Sequence, residues 1–157
     1  MKIKGRIIFA LFSGFFIFSA VPAVFGQNSV NNNANLYHER GLEFHSKGET
    51  EKAIAAFTRA ISFDSKYADA YISRGFVYFE LRDMEKAITD FSAAIRLSPK
   101  NSFAYNFRGS AYAMRREYDK AIQDWEMVLK LDPENTNTPN LIKAVRRLKD
   151  TSDEASR

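Results

Sequence analysis

Few side chains in this chain are suited to chemistry, and its two histidines are the first candidates for a site. His38 and His45 stand seven residues apart, which separates them by about 10 Å along a helix axis at the usual rise of an α-helix. That separation is too long for both imidazoles to bind one metal ion directly. We therefore expect both histidines to be polar groove or surface residues.

The residues of other catalytic chemistries are missing. The chain of 157 residues has no cysteine, which excludes a thiol nucleophile, a thiolate metal site and a disulfide scaffold. It has no phosphate-binding glycine loop, nucleophile elbow or HExxH motif. Acid pairs such as Glu117 and Asp119 fall at helix starts, where carboxylates are common. The sequence predicts a protein that is not an enzyme and that has no cofactor and no metal.

The net positive charge belongs to the N-terminal segment. The chain has 23 Lys and Arg against 19 Asp and Glu, and removing Lys2, Lys4 and Arg6 leaves 20 against 19. The remainder is therefore close to neutral, which removes the electrostatic argument for nucleic-acid binding.

Residues 1–26 have the pattern of a secretory signal peptide. A basic start precedes the uncharged stretch Ile7–Phe18, and Val24 and Gly26 are placed for cleavage before Gln27. Val21 and Ala23 fit a weaker alternative position, with Pro22 between them. The sequence therefore predicts export, to the periplasm or the exterior. The absence of cysteine and of glycosylation acceptor sites favours a bacterial envelope.

An uncleaved membrane anchor is the alternative. Residues 7–25 are nineteen uncharged residues in a row, just long enough to span a bilayer. In both cases residues 27–33, which are polar and rich in asparagine, are predicted to form a flexible tether.

Internal repetition determines the predicted architecture. Rows of 34 residues that start at Ala34, Ala68 and Ser102 align without a gap. The aligned columns hold a tyrosine, an Arg-Gly pair, an aromatic residue, a Lys-Ala-Ile triplet and a second large aromatic residue. They are Tyr37, Tyr71 and Tyr105; Arg40-Gly41, Arg74-Gly75 and Arg108-Gly109; Phe44, Tyr78 and Tyr112; Lys52-Ala53-Ile54, Lys86-Ala87-Ile88 and Lys120-Ala121-Ile122; Phe57, Phe91 and Trp125.

Each row predicts two amphipathic helices. Tyr71, Gly75 and Tyr78 fall on one helix face at positions i, i+4 and i+7, and the residues from Ala87 to Ala94 repeat that spacing. A glycine inside a helix costs about 1 kcal/mol relative to alanine, so its recurrence indicates that a neighbouring helix approaches closely. Helix breaks are predicted at three charged turns and two prolines: Lys47-Gly48-Glu49, Arg82-Asp83, Arg116-Glu117, Pro99 and Pro133.

These columns resemble the tetratricopeptide repeat, and the resemblance covers three repeats, residues 34–67, 68–101 and 102–135. It implies an all-α fold, an α-solenoid of antiparallel helix pairs whose first helices line a concave groove. The chain departs from the family pattern where arginine replaces the usual leucine and where a larger residue replaces a small one near the end. These departures are Arg40, Arg74 and Arg108, and Val128; in addition, Ser65 replaces the first proline.

Residues 136–149 predict one more amphipathic helix that caps the array. Thr138 is expected to cap its N-terminus, with Pro139 at the first helical position. Its basic face is open to a second interpretation, as a patch for an anionic surface. The tail, residues 150–157, is predicted to be disordered.

The resemblance also implies which side chains face the groove. They are Asn35, His38, Leu42 and His45 of the first repeat, Asp69, Ile72, Phe76, Phe79 and Glu80 of the second, and Phe103, Asn106, Ser110, Ala113 and Met114 of the third. The carboxylate clamp of members that bind acidic chaperone C-termini is missing, because its lysine, asparagine and arginine positions hold other residues. These are His38, Leu42, Ser73, Phe103 and Phe107. That ligand class is therefore not expected.

The predicted groove is unusually apolar. Phe76 and Phe79 are expected to be the main contacts, because aromatic anchors often dominate binding energy, and exposed apolar clusters mark binding sites. The alternative is that these rings pack between neighbouring repeats.

We therefore predict an exported interaction module that binds a peptide or helix of a partner protein, oriented by Asp69, Glu80 and Asn106. Two alternatives remain. The groove could receive the C-terminal helix of another copy, Leu141–Lys149, or the chain could be a membrane-tethered accessory subunit of an envelope complex.

The signal segment leads to a direct prediction. When the full-length chain is expressed in a bacterium with two membranes, we expect a mature protein that begins at Gln27, measured by intact mass and N-terminal sequencing. Gly26→Leu should block cleavage at this site, because the peptidase requires small side chains there. A mature protein that still begins at Met1 and stays in the membrane fraction would support the anchor instead.

Overall fold

The computed structural model describes residues 23–155, and all regular secondary structure in this range is helical. Its helices are α1 (Ala23–Ser46), α2 (Thr50–Phe63), α3 (Ala68–Glu80), α4 (Met84–Leu97), α5 (Ser102–Met114), α6 (Tyr118–Leu131) and α7 (Thr138–Ala155). The main contacts join α1 to α2, α3 to α4 and α5 to α6, so each 34-residue row folds as one helix pair. The predicted all-α solenoid is confirmed.

A left-handed residue ends the first helix of each pair. The backbone angle φ is 73° at Gly48, 62° at Arg82 and 61° at Arg116. In all three turns the next N–H donates to the carbonyl five residues earlier, at 2.9 Å, which is the hydrogen bond that closes a Schellman C-cap. The predicted breaks therefore have one geometry, which glycine adopts freely and the two arginines adopt at a cost of about 1 kcal/mol.

The core of each pair is an aromatic ring that lies on a glycine. The rings are those of Phe57, Phe91 and Trp125, all buried, and each lies against the glycine of its own row in the first helix. Alanines on the second helices are also fully buried beside the rings: Ala53, Ala60, Ala87, Ala94 and Ala121. Because glycine and alanine add little volume, the two helices approach closely and the ring fills the space between them.

Helix α1 begins earlier than the repeat pattern indicates. It starts at Ala23, so residues 27–33 are helical where the sequence predicted a flexible tether. Packing orders the helix from Ala34 onwards, where that side chain is buried, and extending a formed helix costs far less than nucleating one. Most of the predicted signal segment, residues 1–22, lies outside the described residues. No helix between residues 23 and 155 combines the length and the apolar character needed to cross a membrane.

Helix α7 packs against α6 of its own chain. Ile142 and Val145 are buried in a cluster with Trp125 and Val128. The helix continues to Ala155, beyond the predicted limit at 149, because neither glycine nor proline follows Pro139. Much of the predicted disordered tail is therefore helical.

The start of α7 also differs from its prediction. Thr138 is the first helical residue rather than the cap, and it is buried. Its N–H and its hydroxyl donate to Oδ1 of Asn135, at 3.0 Å and 2.8 Å. Two residues of the basic face form ion pairs with α6, Arg146 with Glu126 and Lys149 with Asp119.

Gly41 should tolerate an added methyl group less well than Gly75. A Cβ at Gly41 would lie under 3.0 Å from the Phe57 ring, whereas one at Gly75 would lie 3.1 Å from its nearest neighbour, Cβ of Asp90. We expect Gly41→Ala to lower the free energy of unfolding by about 1–3 kcal/mol through overpacking. Gly75→Ala should change it much less, since the gain in helix propensity of about 1 kcal/mol opposes a milder clash. Urea unfolding followed by circular dichroism measures both, and equal losses would contradict the close-approach argument.

Candidate functional site

Helices α1, α3 and α5 present one common apolar face. A cavity of about 290 Å³ opens on it, lined by residues of all three helices and by one ring from α2. The lining residues are Leu42, His45, Phe57, Ile72, Ser73, Phe76 and Phe103. We call this cavity the groove pocket. It brings together five residues that were predicted to face the groove: Leu42 and His45 of α1, Ile72 and Phe76 of α3, and Phe103 of α5.

The exposed large apolar side chains that line the groove pocket are Leu42 and Phe103, which are 46% and 48% exposed. Phe76 and Phe79 are half-buried, because both rings lie edge-on against Phe107 with centroid distances of 5.1 Å and 5.5 Å. The rings predicted to be the main contacts therefore also pack between repeats. The prediction that they contact a ligand stays a prediction.

Phe107 is the residue that sequence reasoning missed. Its ring also contacts Phe103, at 4.4 Å between centroids, and Phe91, at 6.0 Å. In the aligned rows it stands in a column with Glu39 and Ser73, so no repeated residue type marked it. The only indication in the sequence was that Phe107 places an aromatic ring where the family's carboxylate clamp has a cation.

Several residues that were predicted to face the groove already have hydrogen-bond partners. Nε2 of His45 lies 2.6 Å from Oε2 of Glu80, which joins α1 to α3. The Ser110 hydroxyl donates to the Asn106 carbonyl at 2.9 Å, and Nη1 of Arg82 donates to the Met114 sulfur at 3.4 Å. Asp69 is exposed, at the N-terminal end of α3.

His38 lies at the junction of the first two repeats instead of in the open groove. Its Nε2 is 2.9 Å from Oγ of Ser73 and its Nδ1 is 3.2 Å from the Tyr67 hydroxyl. Burial lowers the pKa of His38, although the nearby carboxylates Asp69 and Glu39 act to raise it. The neutral ring therefore bridges α1 to the start of α3, with one nitrogen donating and the other accepting. Within the described part of the chain, no group of three or more His, Asp or Glu is placed to hold a metal ion.

The unusual arginine column links the second helices of consecutive repeats. Nε and Nη2 of Arg74 donate to the two carboxylate oxygens of Asp90, both at 2.8 Å, and Nη1 donates to Thr58 at 2.9 Å. Arg108 repeats this arrangement one row later with Asp124 and Ser92. These hydrogen bonds to carboxylate raise the pKa of both arginines. The sequence contained an indication of these ion pairs, since each aspartate follows its arginine by sixteen residues.

Repeated helix pairs with an open apolar face define a helical-repeat protein of the kind that holds its ligands along one surface. The chain belongs to the tetratricopeptide repeat family. A family model described as "TPR repeat" matches residues 41–82, and one described as "Tetratricopeptide repeat" matches residues 68–101 and 102–135. The last two ranges coincide with the second and third rows of the sequence pattern.

Solved structures with the same fold include several peptide complexes. The second TPR of Spaghetti (RPAP3), bound to the HSP90 peptide SRMEEVD, is 31% identical with a TM-score of 0.66, over 69% of this chain and 99% of that chain. The second TPR domain of human RPAP3, in complex with the HSP70 peptide SGPTIEEVD, is 28% identical with a TM-score of 0.68, over 76% and 98%. The Arabidopsis OM64 TPR domain is 26% identical with a TM-score of 0.71, over 75% and 98%. None of the curated proteins compared with the chain matches it significantly.

His38 should make stability depend on pH. Because its pKa is lowered in the folded state, the unfolded chain binds a proton at a higher pH than the folded chain does. The stability that the neutral ring confers is then fully present above its ordinary pKa of 6.5 and is lost as the pH falls through the folded value. We expect the free energy of unfolding, measured in urea from about pH 7 to about pH 5, to fall more steeply for the natural protein than for His38→Gln. His45 is present in both proteins, so identical slopes would contradict this role of His38.

Proposed function

We propose that this chain is a non-enzymatic interaction module that binds an apolar peptide or helix of a partner protein in the groove pocket. The observation that carries the proposal is the exposure of Leu42 and Phe103 at the mouth of a cavity of about 290 Å³. Its walls include the rings of Phe57 and Phe76 and the side chain of Ile72. Soluble proteins seldom leave such a cluster open unless it binds something.

The charge of the groove supports an apolar ligand over an acidic one. The solved relatives hold chaperone peptides that end in EEVD, and such a peptide needs cations for its carboxylates. No lysine or arginine lines the groove pocket. At the positions of the family's clamp this chain has Leu42, Phe103 and Phe107, which are apolar, and His38, whose ring nitrogens already contact Ser73 and Tyr67.

The ligand would be held as a helix in a groove. Its apolar side chains would enter the groove pocket between Leu42 and Phe103, and polar groups at the rim would set its direction. Asn106 is suited to this task, because its side-chain amide has no hydrogen-bond partner among the described residues. Glu80 already contacts His45, and Asp69 is exposed.

Export of the module is part of the proposal, and it rests on the residue pattern of residues 1–26. A groove filled by the C-terminal helix of another copy is less favoured, because α7 buries Ile142 and Val145 against its own array. We therefore propose a partner other than a second copy of this chain.

Selection from a displayed random peptide library tests the groove. We expect peptides enriched in leucine, phenylalanine and methionine, whose affinity is then measured by calorimetry. Leu42→Asn and Phe103→Asn should each weaken binding about tenfold or more, since a buried apolar anchor contributes about 2 kcal/mol. Both residues are exposed, so unfolding curves should show that the variants stay folded.

Leu148→Asn is the matched control, because Leu148 has a similar exposure, 53%, but lies on α7. Selected peptides that bind all three variants equally would place the binding surface elsewhere. A selection dominated by acidic C-termini would contradict the proposed ligand class.

A further inference from the structure

A second pocket lies in the first repeat, between α1 and α2. It shares no lining residue with the groove pocket. It has a volume of about 490 Å³, and its lining includes Arg40, Phe44, Lys52, Ala56 and Arg59. We call it the outer pocket. A pocket of about 500 Å³ occupies the same register in the second repeat, 34 residues later, with Arg74, Tyr78, Lys86 and Asp90. The two pockets therefore occupy equivalent positions in successive repeats but are lined by different charged residues.

The carboxylate of the second-repeat pocket is missing from the first. Arg74 holds Asp90 with two hydrogen bonds of 2.8 Å. In the first repeat Ala56 stands where Asp90 stands in the second. Arg40 has no ion-pair or hydrogen-bond partner within the described residues, and its guanidinium lies over the Tyr37 ring, 5.5 Å from the centroid. The arginine is therefore retained in the first repeat without the carboxylate that it binds in the second.

The first repeat also gains a cation in this pocket. Arg59 stands where the second repeat has Ala93, and its guanidinium lies 5.9 Å from the centroids of Tyr37 and Phe63. The outer pocket is lined by three cations and one carboxylate, whereas the second-repeat pocket is lined by two cations and three carboxylates. The carboxylate of the outer pocket, Glu43, is paired with Lys47 outside it.

We propose that the outer pocket binds an acidic side chain of a partner polypeptide together with an apolar neighbour of that side chain. The carboxylate takes the place that Asp90 has in the second repeat and accepts hydrogen bonds from Arg40, with Arg59 adding positive charge. The apolar neighbour packs against Phe44 and Ala56. This site is separate from the groove pocket and does not depend on the function proposed for it.

A pair of capped peptides that differ only in charge tests the site. The full-length gene is expressed and the resulting protein is purified. It is then titrated with acetyl-Glu-Phe-amide and, separately, with acetyl-Gln-Phe-amide. The readout is the chemical shift of the Arg40 side-chain N–H and of the Ala56 amide. We expect the glutamate peptide to bind at least about tenfold more tightly than the glutamine peptide, because only the first supplies a carboxylate to the guanidinium.

Two variants and one control locate the effect. Ala56→Asp supplies the missing carboxylate within the chain, so it should abolish binding of the glutamate peptide. Arg40→Gln should abolish it as well, and it keeps the test valid if Ala56→Asp does not fold. Arg116→Gln removes an exposed cation of the third repeat and should leave binding unchanged.

Equal binding of the two peptides would overturn the proposal, as would binding that persists in Arg40→Gln or in a folded Ala56→Asp. Inorganic phosphate that shifts the same signals and displaces the peptide at equal concentration would also overturn it, in favour of a general anion site. Leu42→Asn and Phe103→Asn should not affect this titration, so a failure here is distinguishable from a failure of the groove proposal.

Discussion

A ring that lies on a glycine sets the distance between the helices of every pair, and the groove depends on that distance. Phe57 lies on Gly41, Phe91 on Gly75 and Trp125 on Gly109. Because the same contact recurs every 34 residues, the three pairs have one geometry and stack with a constant relation to each other. This stacking places α1, α3 and α5 side by side, and only then do Leu42, Ile72 and Phe103 share one cavity.

The arginine column adds a polar link to this apolar framework. Arg74 and Arg108 each join their own second helix, through Asp90 or Asp124, to the second helix of the preceding repeat. A desolvated pair of this kind resists the loss of either partner, since the remaining charge would be buried at a cost of about 3–5 kcal/mol. In the first repeat the same arginine position has no such carboxylate. The same arginine geometry thus stabilises the second and third repeats, whereas the arginine of the first repeat lacks its carboxylate partner.

The groove face combines packing and exposure in the same cluster of rings. Phe76 is a wall of the groove pocket and also a packing partner of Phe107, and the exposed Phe103 ring lies against Phe107 as well. Side chains held in this way would lose little conformational freedom in the binding proposed for the groove pocket, which would lower its entropic cost. The His45–Glu80 contact at 2.6 Å and the His38–Ser73 contact at 2.9 Å hold α1 and α3 in register beneath this face.

The sequence alone determined the helix pairs and the turns at Gly48, Arg82 and Arg116. These features follow from periodicity and local backbone chemistry, which a single row already displays and three rows confirm by repetition. The tertiary structure decided the rest. Phe107 gathers four rings although its column repeats no residue type, and α1 begins at Ala23. A period shows which positions recur, but a contact between side chains that do not recur exists only once the helices have packed.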